Sequence, residues 1–229
     1  PVVIDNFFKD PEILVDFGKV VVKYSDREGN WPGQRSKAFR EIDGTLHNTI
    51  MLKILSCYYD LEYINISWNS SEAQFQEISR FSENKNDIRN KGWIHQDVPS
   101  PFQLAGLIYL TPNIDPDSGT SLFNVKAPYI VNKQPHKFSL YKDGHFDREE
   151  YTKSYIKDEE NFFETVRFQN IFNRLIMYDT CEWHRMNNCY NGDGKDVRFT
   201  LGFFLGRVGD GGGFANHLCP IERIKNHKI

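Results

Sequence analysis

Three residue types with the right spacing stand out first. In Trp93-Ile94-His95-Gln96-Asp97, the histidine and the aspartate are two positions apart. On an extended strand successive side chains alternate faces, so His95 and Asp97 point the same way. An imidazole and a carboxylate on one face are two of the three ligands of a facial triad, two histidines and one carboxylate, which leaves open positions on Fe(II). The third ligand must come from elsewhere in the chain. Of the other histidines, His184 has the best setting, because it follows the apolar run Leu175-Ile176-Met177-Tyr178 after a short link and opens another strand candidate. His47 falls in a predicted helix, His136 and His145 in a polar stretch, and His217 and His227 in the tail. Arg198 starts the apolar run Arg198-Phe199-Thr200-Leu201-Gly202-Phe203-Phe204. If it faces inward it needs an anion, and a guanidinium offers a two-pronged match to a carboxylate. Thr200 shares its face and could donate a hydroxyl to the same group.

These residues must be positioned by surrounding elements. Residues 2–8 read as a strand entering a turn, and Asp10-Pro11-Glu12 reads as a helix start. A helix over about 10–24 would put Ile13, Phe17, Val20 and Val21 on one side. Asp43 could cap a second helix running to about Tyr58, with Leu46, Ile50, Leu52 and Ile54 as its apolar content. The period then changes. Residues 63–68 and 73–78 alternate across the turn-like Asn69-Ser70-Ser71-Glu72, which predicts a hairpin. Further strands are predicted at Gly92–Val98, Leu104–Leu110, Thr120–Val125, Leu175–Tyr178, His184–Cys189 and Arg198–Leu205. Helices first and many short strands after them predict a mainly β, α+β chain: a sandwich or open barrel with helices packed outside one sheet.

The chain is expected to form a single domain over residues 1–229, with a helical part to about residue 60 and a β core over about 61–207. A polar insert over about 126–172 interrupts that core, with a helix predicted over Asp147–Phe163. Its position between strands suggests a mobile lid, the alternative being a surface helix fixed on the sheet by Tyr151, Tyr155, Phe162 and Phe163. The insert, with Lys126, Lys133, Lys137 and Lys142, and the loop Asn30–Arg35 would shape a substrate mouth.

Composition narrows the function classes. The 229 residues are 39% hydrophobic, 26% charged and 14% aromatic, an ordinary globular balance. A net charge of -3 gives no electrostatic footprint for nucleic acid, so none is expected as a partner. No apolar run approaches the roughly 20 residues of a membrane helix, and Pro1-Val2-Val3-Ile4-Asp5 lacks the features of a signal peptide. Cys57, Cys181, Cys189 and Cys219 form no CxxC pair and read as free thiols in a reducing, cytoplasmic setting.

Taken in order, the motifs resemble the 2-oxoglutarate/Fe(II)-dependent dioxygenases, in particular their prolyl-4-hydroxylase-like branch. The pattern runs from His95-x-Asp97 to the strand Leu107-Ile108-Tyr109-Leu110-Thr111, then to the glycine turn Ser118-Gly119-Thr120-Ser121-Leu122-Phe123. It continues through Asn173-Arg174-Leu175-Ile176-Met177-Tyr178-Asp179 to His184, Arg198 and Thr200, so the match covers about 92–125 and 173–205. The resemblance implies a double-stranded β-helix, or jelly roll. It implies that His95, Asp97 and His184 ligate Fe(II), and that Arg198, helped by Thr200, binds the distal carboxylate of 2-oxoglutarate. Tyr109 stands where relatives place a tyrosine against that cosubstrate; a core or rim tyrosine is the other reading. Trp93 shares a face with His95 and would wall the site or pack in the core.

The implied reaction uses dioxygen to hydroxylate a C–H bond of a small-molecule or peptidyl substrate, with release of succinate and carbon dioxide. Arginine at 198, where many prolyl-hydroxylase relatives have lysine, and Ser118 before Gly119 put the narrower label in doubt. Phe204 stands where demethylase relatives carry a second arginine, and Asp97 is the carboxylate that halogenase relatives lack. The alternative function is a non-catalytic, cupin-like metal- or ligand-binding jelly roll, which would not need Arg198 as a carboxylate anchor.

Overall fold

A computed structural model of the chain describes residues 1–21, 24, 33–59, 61, 66–68, 70–80, 82–97, 102–126, 148–189, 197–206 and 208–209. The architecture is a jelly roll of two antiparallel sheets facing each other. The larger sheet contains β1 (Val2–Ile4), β2 (Gly33–Arg35), β3 (Ser70–Ile78), β4 (Leu104–Tyr109), β7 (Leu175–Asp179) and β9 (Arg198–Gly206), in the order β1-β7-β4-β9-β3-β2. The smaller contains β5 (Thr120–Val125), β6 (Phe162–Phe168) and β8 (Trp183–Met186), in the order β6-β5-β8. No helix among the described residues is long and apolar enough to cross a membrane.

Three helices, α1 (Pro11–Asp16), α2 (Phe39–Ile42) and α3 (Gly44–Leu55), cover the outer face of the larger sheet. Asp43 caps α3, its carboxylate accepting from the Leu46 N–H at 2.9 Å, as the sequence predicts. Ile50, Met51, Ile54 and Leu55 of α3 are buried against Phe75, Phe199, Leu201 and Phe203 of the sheet, and this is the main core. Asn173, with φ of 62°, ties the N-terminal segment to the strands. Its side chain accepts from Phe8 N at 2.9 Å and donates to Phe8 O at 2.7 Å.

Several expectations are corrected. The first helix continues as one π-helical turn over Phe17–Val21, and its buried residues are Pro11 and Leu14. Ile13 and Val20 are 68% and 81% exposed, because tertiary packing chose a different stripe from the one the spacing suggested. The hairpin does not form: Ser70–Glu72 lie inside β3, whose partners are β9 and β2. Of the proposed partner strand, residues 63–65 lie outside the described residues, and Ser67 bridges Gly209.

The insert is largely structural. Helix α4 (Arg148–Glu159) buries Tyr151 and Tyr155, whose rings meet Trp93 at 5.2 and 5.1 Å. Phe162 is buried and Phe163 is exposed, and β6 pairs along β5 as an integral strand. The fixed-helix alternative therefore holds for α4, and β6 is no lid. Residues 127–147, with Lys133, Lys137 and Lys142, lie outside the described residues, as do 30–32 of the predicted mouth loop.

Candidate metal and 2-oxo-acid site

Two chain segments far apart in sequence meet at one backbone bridge. His95 N donates to His184 O at 3.0 Å, and His184 N donates to His95 O at 2.9 Å. Such a reciprocal pair puts both side chains on the same face. Residues 92–97 are extended but form no continuous strand; besides the bridge, Gly92 N donates to Met186 O and Asp97 N to Thr180 O. The predicted strand at Gly92–Val98 is thus corrected to a strap along β8, and β8 itself ends at Met186. Arg185 anchors the back of β8 through the Tyr155 hydroxyl and the Glu159 carboxylate of α4, with its guanidinium 4.9 Å from the Phe123 ring.

The bridge assembles the expected triad. One ligand atom from each of His95, Asp97 and His184 lies within 4.8 Å of the other two. Asp97 Oδ1 is 3.8 Å from His95 Nε2, and Asp97 Oδ2 is 3.4 Å from His184 Nε2. These three side chains could together hold one metal ion. The ring orientation is already fixed. His95 Nδ1 bonds Trp93 O at 2.8 Å, and His184 Nδ1 bonds Glu182 O at 2.9 Å. A carbonyl only accepts, so both Nδ1 atoms carry the hydrogen and both Nε2 lone pairs face Asp97, the arrangement that orients metal-ligating histidines. Burial, and then the neighbouring His95, push His184 down to about 3, so its imidazole is neutral at ordinary pH. Burial raises the Asp97 carboxyl, against the opposing pull of His95 and Arg35. The Tyr178 ring packs on His184 with centroids 4.8 Å apart.

Arg198 lies deeper between the sheets, 2% exposed. Its Nε donates to Ser118 O at 2.9 Å, and its guanidinium carbon lies 5.5 Å from the Tyr109 ring centre. A second contact, Nη2 to Thr120 Oγ1, is long at 3.5 Å. Among the described residues no carboxylate pairs with it. Burial pulls its pKa below the ordinary arginine range, and it remains a buried cation that still calls for an anion. Tyr109 is fully buried and donates its hydroxyl to Thr120 Oγ1 at 3.0 Å. Thr200 is also fully buried, on the Arg198 face of β9, with its hydroxyl 3.5 Å from Gln76 Oε1. Trp93 packs against α4 and not in the site.

Sequence reasoning missed the Ser118 carbonyl and Thr120, both on the turn into β5. That turn requires glycine, since a Cβ on Gly119 would lie 1.8 Å from the Phe168 carbonyl oxygen. Gln76 was also missed. It lies opposite Thr200 in register and covers Gly202, where an added Cβ would meet its Nε2 at 2.7 Å.

A family model described as "Family of unknown function (DUF6445)" matches residues 1–205. No curated protein sequence matches the chain. Among solved structures, HygX from Streptomyces hygroscopicus, with nickel and 2-oxoglutarate bound, matches at a TM-score of 0.50 and 11% identity, over 90% of this chain and 82% of that one. A prolyl-4-hydroxylase from Pseudomonas putida matches at 0.46 and 12% identity, over 91% and 92%. The likeness to HygX is a likeness of fold.

Proposed function

We propose that this chain, which belongs to the DUF6445 family, is a single-domain 2-oxoglutarate-dependent Fe(II) dioxygenase that hydroxylates a C–H bond. The observation that carries the reading is the pairing of two features between the same sheets. One is a two-histidine, one-carboxylate set whose ligand atoms lie within 4.8 Å of one another, with both Nδ1 atoms committed to backbone carbonyls. The other is a buried arginine with no acid partner among the described residues. A cupin-like binding protein needs only the first.

The donor set fits Fe(II): borderline nitrogen ligands and one hard oxygen on one side leave positions open on the other. His95, Asp97 and His184 would hold the metal, and the carbonyls of Trp93 and Glu182 would keep their rings in register. Arg198 would bind the distal carboxylate of 2-oxoglutarate with the nitrogens not committed to Ser118. Thr120, Tyr109 and Thr200 line the same depth, and the two hydroxyls nearest Arg198 would complete the carboxylate's hydrogen bonds. Bound there, iron, 2-oxoglutarate and dioxygen supply the oxidising power. In balance, a C–H bond becomes C–OH with one oxygen atom, and the other oxygen enters succinate as 2-oxoglutarate loses carbon dioxide. Tyr178, Leu107 and Ile176 shield this depth from water.

The test is succinate formation from 2-oxoglutarate by the Fe(II)-loaded protein, compared with the Asp97→Ala variant. Succinate that depends on Fe(II), on dioxygen and on Asp97 supports the reading. Equal succinate from the variant overturns it.

A further inference from the structure

The residues next to the two histidines point away from the metal side and meet one helix. Arg185 leaves β8 on the face opposite His184, because successive side chains of a strand alternate. It is 8% exposed, and its Nη1 donates to the Tyr155 hydroxyl at 2.6 Å and to the Glu159 carboxylate. Trp93 gives its carbonyl to His95 Nδ1, while its indole packs edge-on against the rings of Tyr151 and Tyr155. Tyr151, Tyr155 and Glu159 follow one another at the i, i+4 spacing of α4, so they form one stripe of that helix. A single helix face therefore grips both segments that carry the histidines.

Both segments need such a grip. β8 is an edge strand of the smaller sheet, four residues long, and its other side meets the strap 92–97, which is no continuous strand. A short edge strand beside irregular backbone is a place where a sheet shifts easily. Pinning Arg185 outward keeps His184 turned inward. The His95 side chain is 53% exposed and rests on the His184 ring, with centroids 4.3 Å apart. Its orientation follows the Trp93 carbonyl, and that carbonyl follows the clamped indole and the buried Ile94 beside it. Ligands ordered before an ion arrives leave less ordering to the binding step, so they bind it more tightly.

We propose that α4 is a positioning element for the metal set, with Arg185 and Tyr155 as its positioning residues. Tyr155 serves both segments: its hydroxyl holds β8 through Arg185, and its ring holds the strap through Trp93. The inference rests on the metal half of the oxygenase reading and gives the helix of the polar insert a role in that site. Arg198 is not held by α4, so the clamp acts on metal binding and not on the carboxylate anchor.

The experiment titrates Ni(II) into the metal-free full chain by calorimetry and records the Co(II) absorption spectrum as a reading of ligand geometry. Arg185→Met leaves an apolar chain over the Phe123 ring, and leaves Glu159, 32% exposed, able to hydrate. It should bind Ni(II) at least about tenfold more weakly, with a changed Co(II) spectrum. Tyr155→Phe keeps the ring on Trp93 and removes one hydrogen bond to a cation, and should bind about threefold more weakly or worse. Glu159→Gln, which keeps an acceptor for the guanidinium, should recover most of the affinity that Glu159→Ala loses. Binding of 2-oxoglutarate to the metal-free variants should match wild type, a split that a general loss of structure would not give. Should Arg185→Met not fold, Tyr155→Phe decides by the same two readings. Ni(II) affinity within about twofold of wild type in either folded variant, with the Co(II) spectrum unchanged, would overturn the proposal whatever happens to thermal stability. A wild-type chain that binds no Ni(II) overturns the metal reading and this inference together. Ni(II) binding that depends on the clamp, in a chain that forms no succinate, supports this inference and defeats the oxygenase reading alone.

Discussion

The two faces of β9 are equally buried and chemically opposite. On the outer face Phe199, Leu201, Phe203 and Leu205 are each 0% exposed and pack under the helices. On the inner face stand Arg198 at 2%, Thr200 at 0%, then Gly202 and the half-buried Phe204. One strand thus builds the core with one set of alternating residues and the proposed ligand site with the other. Burial alone does not separate stability from function here. The separating signal is a polar residue buried at period two on a strand whose other face is wholly apolar, because an unpaired buried charge costs too much to persist without a use.

If the inner face is the working face, the largest effect should come from its metal side. Asp97→Ala should lower succinate formation by more than about 100-fold, beyond the loss expected for a supporting residue. Circular dichroism should show the fold retained.

The outer face should answer in stability instead. Phe199 stacks on Phe75 with ring centres 5.1 Å apart, and Phe199→Ala should cost about 3–5 kcal/mol in a denaturant titration. The affinity of the remaining folded protein for 2-oxoglutarate should be unchanged. A large affinity loss in this variant would show that the two faces are not independent.

Arg198→Met makes the reciprocal case. Removing a charge-assisted contact should weaken 2-oxoglutarate binding by about 2–3 kcal/mol, roughly 30- to 160-fold. Stability should hold or rise, because a buried cation with no acid partner among the described residues is replaced by an apolar chain of similar length. Marked destabilisation would mark Arg198 as a structural residue.

The smallest effect concerns pH in the metal-free protein. His184 is held near 3 when folded and titrates near 6.5 when unfolded, so the unfolded chain binds the extra proton. Stability should be flat above about pH 6.5 and fall below it, by about 1 kcal/mol down to pH 5.5 from this residue. Burial lowers His47 in the same direction, and His47→Gln should make the slope shallower. Stability that rises on acidification would contradict both assignments.

Much of the site was legible because it depends on side-chain type and short spacing. His95 and Asp97 share a face through an extended backbone, and Arg198 is conspicuous before five apolar residues in six. What the sequence could not show is held by backbone or by distant pairing. The Ser118 carbonyl that takes the Arg198 Nε–H has no side-chain signature. Ser70 and Ser71 read as a turn by propensity, yet pairing with Gly206 and Leu205 makes them strand. That misreading also hid Glu72, Gln74 and Gln76 as one inward row. Strand β6 was lost in a charged stretch because its exposed side, with Phe163 and Arg167, breaks the alternation.

His95, Asp97, His184 and Arg198 should act together, the first three on a metal and the arginine on the carboxylate of 2-oxoglutarate. Calorimetric titration of 2-oxoglutarate into Ni(II)-loaded and metal-free protein, without dioxygen, tests it directly. One molecule should bind per chain, at least about tenfold more tightly with metal than without, and Arg198→Met should weaken both titrations. Binding that is indifferent to metal, or unchanged in Arg198→Met, would contradict the claim.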